Sequence, residues 1–186
     1  MDLIQYITTK IKLTAEESAV VDAAFKEEFC PKGTILAHPD NHSQKIHFIE
    51  TGLIRLYYNK DGKDITHFFF DENSFAACAE SVYFDKPSPY GKEVLVDSTL
   101  RTIHVKDLNL LLNKIEAIKD LSFIIAVEVI SQLSDRLFSI QFQSAEQRYK
   151  FIIDNHPNIL LRVPLGHIAS YLGITQQTLS VIRAKI

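Results

Sequence analysis

The sequence predicts an α+β chain: an N-terminal double-stranded β-helix (jelly-roll), one long helix, and a C-terminal helix-turn-helix. Three observations carry this. Between Phe29 and about Val105, short β-rich runs recur among Gly, Pro and Asn turns, the pattern of an all-β sandwich or barrel. From Leu121 to Phe142 no Gly or Pro interrupts an apolar seam at helical spacing. From Leu165 to Ala184 the chain places apolar, small and glycine residues where two short crossed helices need them. A length of 186 residues allows one or two domains with a sizeable core.

Residues 1–29 read as helical. Thr14 and Glu17 have capping-box spacing, and Val20, Val21, Ala24 and Phe25 form an apolar stripe after them. Pro31-Lys32-Gly33 and Pro39-Asp40-Asn41 read as turns around a strand at Thr34–His38. A strand from Lys45 ends at Gly52, and another follows from Leu53 to Asn59. Asp61-Gly62 is a hairpin signal. The strand after it ends in Phe68-Phe69-Phe70, a continuous run, so at least one Phe faces a partner element. Glu72-Asn73 makes the next turn, and Glu93–Val96 and Leu100–Val105 read as two further short strands.

Asp107–Ile115 is a short helix. In the long helix Phe123, Val127, Ile130, Leu133 (or Ser134), Leu137 and Ile140 fall at three- and four-residue steps. This is a coiled-coil-like seam that Ile124, Ile125 and Val129 widen. The polar face is thin: Glu128, Ser131, Gln132, Asp135 and Arg136. Such a helix is expected to pack on its own barrel and on a second copy of itself; burial within a monomer is the plainer alternative. Ser144–Ile153 is another helix, closed by Asn155-His156-Pro157. The expected boundaries are 1–118 for the roll domain, 119–142 for the dimerisation helix and 143–186 for the helix-turn-helix domain.

In the terminal motif Ile168, Leu172, Ile174, Leu179 and Ile182 are apolar, Ala169 is small at the crossing, and Gly173 suits a left-handed turn. Thr175 can cap the second helix. Gly166 is the one local misfit, a glycine inside a helix. Gln176, Gln177, Thr178, Ser180, Val181 and Arg183 fall on or near the outer face of that helix. Glutamine and arginine can hydrogen-bond base edges. An ordinary helical hairpin in a core is the bland alternative.

The chain carries a net charge of −3. From Gln143 onward it holds five basic and two acidic residues, net +3, so the preceding 142 residues carry −6. An acidic body with a basic end suits a module that offers one face to phosphate. Only Cys30 and Cys78 occur, which rules out a disulfide framework, a thiolate zinc site and a four-cysteine iron–sulfur cluster. No run of eighteen apolar residues is present, and charged residues interrupt the N-terminus, so neither a membrane span nor a signal peptide is expected. The expected location is cytoplasmic.

The order helix, roll, long apolar helix, helix-turn-helix resembles the Crp/Fnr family of bacterial transcription regulators, which carry a cyclic-nucleotide-binding-type β-roll as sensor domain. His47–Phe75 in the roll and Leu172–Ile186 at the end carry the likeness, with Gly52, Gly62 and the terminal motif its most specific parts. The ending looks especially like short Bacteroidetes-type regulators. The resemblance implies a parallel homodimer through residues 119–142. It implies double-stranded DNA as partner, with half-sites about one helical turn apart, and RNA polymerase as a candidate protein partner. Thr175, Gln176, Gln177, Thr178, Ser180, Val181, Arg183 and Lys185 would meet DNA. Arg162 and Lys150 are further candidates for phosphate contact. Gln176, Gln177 and Val181 stand where the family's commonest form has other residues, which suggests an A·T-leaning target. The sequence ends at Ile186, so no β-hairpin wing is expected after the recognition helix.

The effector cassette departs from the cyclic-AMP pattern. After Phe75, the Gly, Glu, Arg and Ser of that pattern are replaced by Ala77, Cys78, Ser88 and Pro89. A buried monoanion without its Arg costs several kcal/mol, so no cyclic AMP response is expected. Lys86 or Lys92 could supply a charge nearby, though a loop lysine is more often simply solvated. No cofactor is expected and the effector is unknown. A haem-type sensor is permitted by the count of His and Cys but not singled out by spacing. His38, His42 and His47 lack the His-x-His of a cupin-type metal enzyme and read as surface and strand histidines. Cys78 reads as a small buried residue rather than a reactive thiol. No catalytic constellation presents itself, so a non-enzyme is expected. A ligand-binding module acting through protein contacts is the alternative, and a small β-barrel enzyme the third.

Overall fold

Two short N-terminal helices, α1 (Leu3–Lys10) and α2 (Ala15–Ala24), open the chain. They are followed by β1 (Lys26–Cys30), β2 (Ile35–Ala37), β3 (Lys45–Lys60), β4 (Lys63–Phe70) and β5 (Phe75–Ala76). The one-turn α3 (Ala79–Tyr83) leads into β6 (Gly91–His104). The rest is helical: α4 (Val105–Lys114), α5 (Glu116–Phe142), α6 (Ala145–Asn155), α7 (Ile159–Arg162), α8 (Leu165–Leu172) and α9 (Gln176–Arg183). The structure is a computed structural model that describes residues 1–156 and 158–185.

Local chemistry sets most of the helix starts. Asp2, Thr14 and Ser144 each accept from the amide three residues on, and Gln5, Glu17 and Gln147 reach back to close capping boxes. Residues 26–29, expected as helix, belong to β1 instead. Antiparallel pairing with β6, from Lys26 opposite Thr102 to Cys30 opposite Ser98, outweighs the helical bias of Lys26, Glu27 and Glu28. The start of α5 at Glu116 lies three residues before the expected boundary. The expected closure of α6 holds at Asn155, with His156 as C-cap; Pro157 lies outside the described residues. The short α7 was not anticipated.

All strands are antiparallel, in the order β1-β6-β3-β4, with β2 on β6 and β5 on β3. The two strands expected on either side of Gly52 are one continuous strand, and so are the two expected within β6. Both bend and curl into the roll, and the pairing register shifts three times between Ile49 and Ile54. Gly52 is the pivot, with φ of 119°. A Cβ there would sit 1.9 Å from Ser98 Oγ and 2.8 Å from its Cα. No side chain fits at that crossing. Three apolar clusters result. One fills the roll around Ile49, Ile54, Leu56, Val94 and Leu100. A second joins α1, α2, α4 and the start of α5 to the roll through Ile46, Phe48 and Ile103.

The third cluster joins the C-terminal helices to the roll. Leu53, Leu95 and Phe69 pack with Tyr149, Ile152, Ile159, Ile168 and Leu172. The partner element of the Phe run is therefore α8. None of the three is exposed: Phe70 is buried and Phe68 and Phe69 half-buried, Phe69 with its ring 5.1 Å from that of Tyr171.

Polar contacts reinforce this docking. Arg162 donates to Glu72 at 2.7 and 3.0 Å and to the Gly52 carbonyl at 2.6 Å, while the Gly52 amide donates to Glu72 at 2.9 Å. Burial pushes the Glu72 carboxyl up, but hydrogen bonds from Arg162 and the Gly52 amide outweigh it and hold it below its usual value. The Thr66 amide donates to Ser170 Oγ at 2.8 Å. Arg55, only 4% exposed, donates to Glu93 at 2.6 Å, to Asp64, and to His167 Nδ1 at 3.0 Å. Arg136 and Arg148 donate to the Tyr171 and Leu172 carbonyls at the end of α8, favourable at a helix C-terminus.

Two expectations follow. Gly52→Ala will cost about 3 kcal/mol or more in denaturant unfolding, because positive φ and a backbone clash add. The second concerns pH. Burial, and then Arg55, hold the His167 imidazole below its ordinary value, with Asp64 and Glu93 opposing more weakly. His167 is therefore neutral and accepts from Arg55. Undocked, it protonates near its ordinary value of about 6.5, so the docked state is favoured above that value and loses ground as pH falls below it. His47 and His67 shift in the same direction, so the measurement is a comparison. Between pH 7.5 and pH 5, the melting temperature should fall further in the native chain than in His167→Gln, whose amide oxygen accepts at every pH.

Candidate nucleic-acid interface and effector pocket

The terminal pair of helices forms by the expected local rules. Gly173 ends α8 with φ of 67° and ψ of 33°, a left-handed cap, and its amide donates to Ala169 and Ser170. Thr175 caps α9, its Oγ1 accepting from the Thr178 amide at 3.1 Å. Leu179 (0% exposed) and Ile182 (4%) fix α9 against Ile168, Ala169 and Leu172 of α8. This burial decides which side of α9 is free. Gln176, Gln177, Thr178, Ser180, Val181, Arg183 and Lys185 are all exposed, as is Thr175.

The exposed residues are not equivalent. A Cβ on Gly166 would lie 2.4 Å from Gln176 Nε2, so the Gln176 side chain rests on the glycine. The misfit glycine thus has a packing reason. Ser180 Oγ donates to the Gln176 carbonyl at 3.0 Å, and Thr178 Oγ1 lies 2.8 Å from Thr175 Oγ1. Lys185 lies 3.4 Å from Glu146. Arg162, a candidate for phosphate contact, is engaged with Glu72 and Gly52; Lys150 is exposed on α6. Gln177, Val181 and Arg183 project outward, with Val181 52% exposed.

The cassette positions lie on β5 and on either side of α3. Cys78 is 1% exposed and Ser88 0%, Phe75 and Ala77 are half-buried, and Pro89 is exposed. Ser88 Oγ donates to Glu80 at 2.8 Å, and its backbone pairs with Asn41 and Asp40. The 40–41 turn therefore covers the position where the family pattern has its Arg. Lys86 is exposed as expected. Lys92 is not a solvated loop lysine but a residue of β6 with no exposed surface. Its Nζ donates to the Lys45 carbonyl at 2.9 Å, and burial pushes its pKa down to about 8. Among the described residues no carboxylate pairs with it. It sits on the same interior face as His47, whose Nδ1 lies 3.0 Å from Thr102 Oγ1 and whose Nε2 has no partner. Burial, then Lys92 and Lys45, drive the His47 imidazole well below its ordinary value. Sequence reasoning missed this polar interior because the alternation of β6 breaks at Gly91-Lys92.

His38 and His42 lie on the covering turn away from His47. Among the described residues, no group of three His, Cys, Asp or Glu could hold a metal ion. Both cysteines are free and buried, and burial, then Glu28, push the Cys30 thiol up. In α5, Ile118 and Leu121 are buried on the roll, but the seam beyond them is bare. Phe123 is 71% exposed, Ile130 62% and Leu137 56%, with Val127 and Ile140 about half exposed. Among the described residues no helix is long and apolar enough to cross a membrane.

No protein-family model and no curated protein matches the chain. Solved structures do. FixK2 from Bradyrhizobium japonicum is 15% identical with a TM-score of 0.74, over 87% of this chain and 83% of its own. A regulator of the crp/fnr family from Eubacterium rectale is 14% identical with a TM-score of 0.73, over 91% and 82%. CLP of Xanthomonas campestris, a c-di-GMP responsive global regulator, is 13% identical with a TM-score of 0.68, over 92% and 91%. Element order, antiparallel roll, long helix and terminal helix-turn-helix agree along nearly the whole chain, which has the fold of the Crp/Fnr regulators.

Proposed function

We propose that the protein is a cytoplasmic, non-enzymatic, DNA-binding transcription regulator that acts as a homodimer and does not respond to cyclic AMP. One observation carries the reading. The terminal helix is held from one side by Leu179 and Ile182 and leaves Gln177, Val181 and Arg183 free on the other. That is what a helix needs to enter a major groove. The bare apolar seam of α5 supports a parallel pairing of two copies, since patches this large on a soluble chain mark interaction sites. Pairing would set two recognition helices side by side.

Thr175, Arg183 and Lys185 would contact phosphate, and Lys150 remains free to do so. Base reading would rest mainly on Gln177, with Val181 against a thymine methyl, and on Gln176, Thr178 and Ser180 after small side-chain rotations. Glutamine suits adenine, which favours an A·T-leaning site. Activation by RNA polymerase contact and repression are both compatible with this arrangement.

The closed roll supports the lack of a cyclic nucleotide response. Ala77, Cys78, Ser88 and Pro89 offer no cation to a phosphate. The buried cation of the roll, Lys92, has no exposed surface and donates to the Lys45 carbonyl. Calorimetric titration with cyclic AMP should therefore give no saturable heat, and DNA binding should be the same with and without it.

Gln177→Ala should weaken binding to a selected operator by about 1–3 kcal/mol while leaving binding to random DNA nearly intact. A salt-titrated gel shift on both DNAs measures this. Equal losses on both would remove Gln177 from base reading, and absence of any salt-dependent shift would remove DNA from the function.

A further inference from the structure

The structure carries an apolar cavity that shares only Phe75 and Ala77 with the cassette and none of Cys78, Ser88 and Pro89. It has a volume of about 300 Å³ and lies outside the roll interior, between the N-terminal helices, the roll mouth and α5. Its walls include Ile7 of α1, Val21 and Phe25 of α2, Phe75 of β5, and Leu121 and Ile125 of α5. Ile7, Val21, Phe25 and Leu121 are each at most 6% exposed. The chain itself therefore walls the space on its inner sides, and the rim at Ala79, Tyr83, Ala126 and Ile130 faces solvent.

We propose that this cavity binds a small uncharged apolar molecule. The chemistry of the walls selects the class. No charged side chain lines the cavity. Its one aliphatic hydroxyl, Ser122 Oγ, already donates to the Ile118 carbonyl at 2.9 Å. A carboxylate or phosphate inside would be buried without a partner, at a cost of several kcal/mol. The size selects the length. A cavity of about 150 Å³ lined by Leu, Ile and Phe takes up benzene, so twice that volume holds roughly ten to twelve carbons. A helix about 10 Å across cannot enter, so a second copy's α5 could at most lay side chains over the rim.

The position gives the occupant leverage. One wall is the first half of α5, the opposite wall is the roll at Phe70 and Phe75, and the floor is α1 and α2. A molecule in the cavity ties α5 to the roll alongside the first part of the bare seam, which it reaches at Ile130. On the regulator reading above, which this part of the inference rests on, it is the effector that sets the two long helices.

The test uses the full chain and three probes: decan-1-ol, decanoate and cyclic AMP. Decan-1-ol should bind saturably, one per chain, by calorimetry and should raise the melting temperature. Decanoate should bind at least about tenfold more weakly. Ala77→Phe, which puts a ring into the cavity, should abolish decan-1-ol binding while the unfolding transition stays cooperative. Val129→Phe from the α5 wall serves if that variant does not fold. No saturable uptake by the native chain, or unchanged uptake in a folded filled variant, overturns the site. Equal binding of decanoate overturns the uncharged class. A gel shift with and without decan-1-ol separates the two readings. A chain that takes up the alcohol but never shifts DNA keeps the cavity and loses the regulator assignment.

Discussion

One crossing holds this molecule together. At Gly52 the strand β3 passes so close to Ser98 of β6 that no Cβ fits between them. The Gly52 amide donates to Glu72 and the Gly52 carbonyl accepts from Arg162, and those two side chains form an ion pair. The bend that closes the roll is therefore also the anchor for the C-terminal helices. A partly buried, multiply hydrogen-bonded pair of this kind fixes geometry more than it adds stability. Arg55 repeats the arrangement on the next stretch of β3, with Glu93 and Asp64 on the sheet and His167 on α8. The roll and the C-terminal helices are joined by named groups and not by a loose linker.

Much of this was readable from the chain. The Thr14–Glu17 and Thr175 caps, the Asp61-Gly62 hairpin, the left-handed Gly173 and the α8–α9 packing all follow from local rules, and each stands as expected. What was not readable depended on distant partners. Lys26–Phe29 looks helical until β6 is available to pair with it. Gly52 looks like a strand end until Ser98 is seen beneath it. Lys92 looks solvated until the pleat of β6 turns it inward. Gly166 looks like a flaw until Gln176 is found lying on it. In each case the deciding neighbour is ten or more residues away, where periodicity carries no information.

The roll interior and the space beside α5 differ in chemistry. The interior holds a buried ammonium and an imidazole with one unpaired nitrogen, and at its cassette the backbone of Ser88 is paired with the 40–41 turn. The space beside α5 is lined by apolar side chains and is partly open. The same sheet thus turns a polar face inward and an apolar face toward the helices.

The shared cluster at Leu53, Leu95 and Phe69 has a consequence for how far the C-terminal helices can stand alone. They borrow their foundation from the sheet beneath them. Grafted onto a foreign scaffold, α6 to α9 would leave Ile152, Ile159 and Leu172 facing water on the side where the sheet used to be.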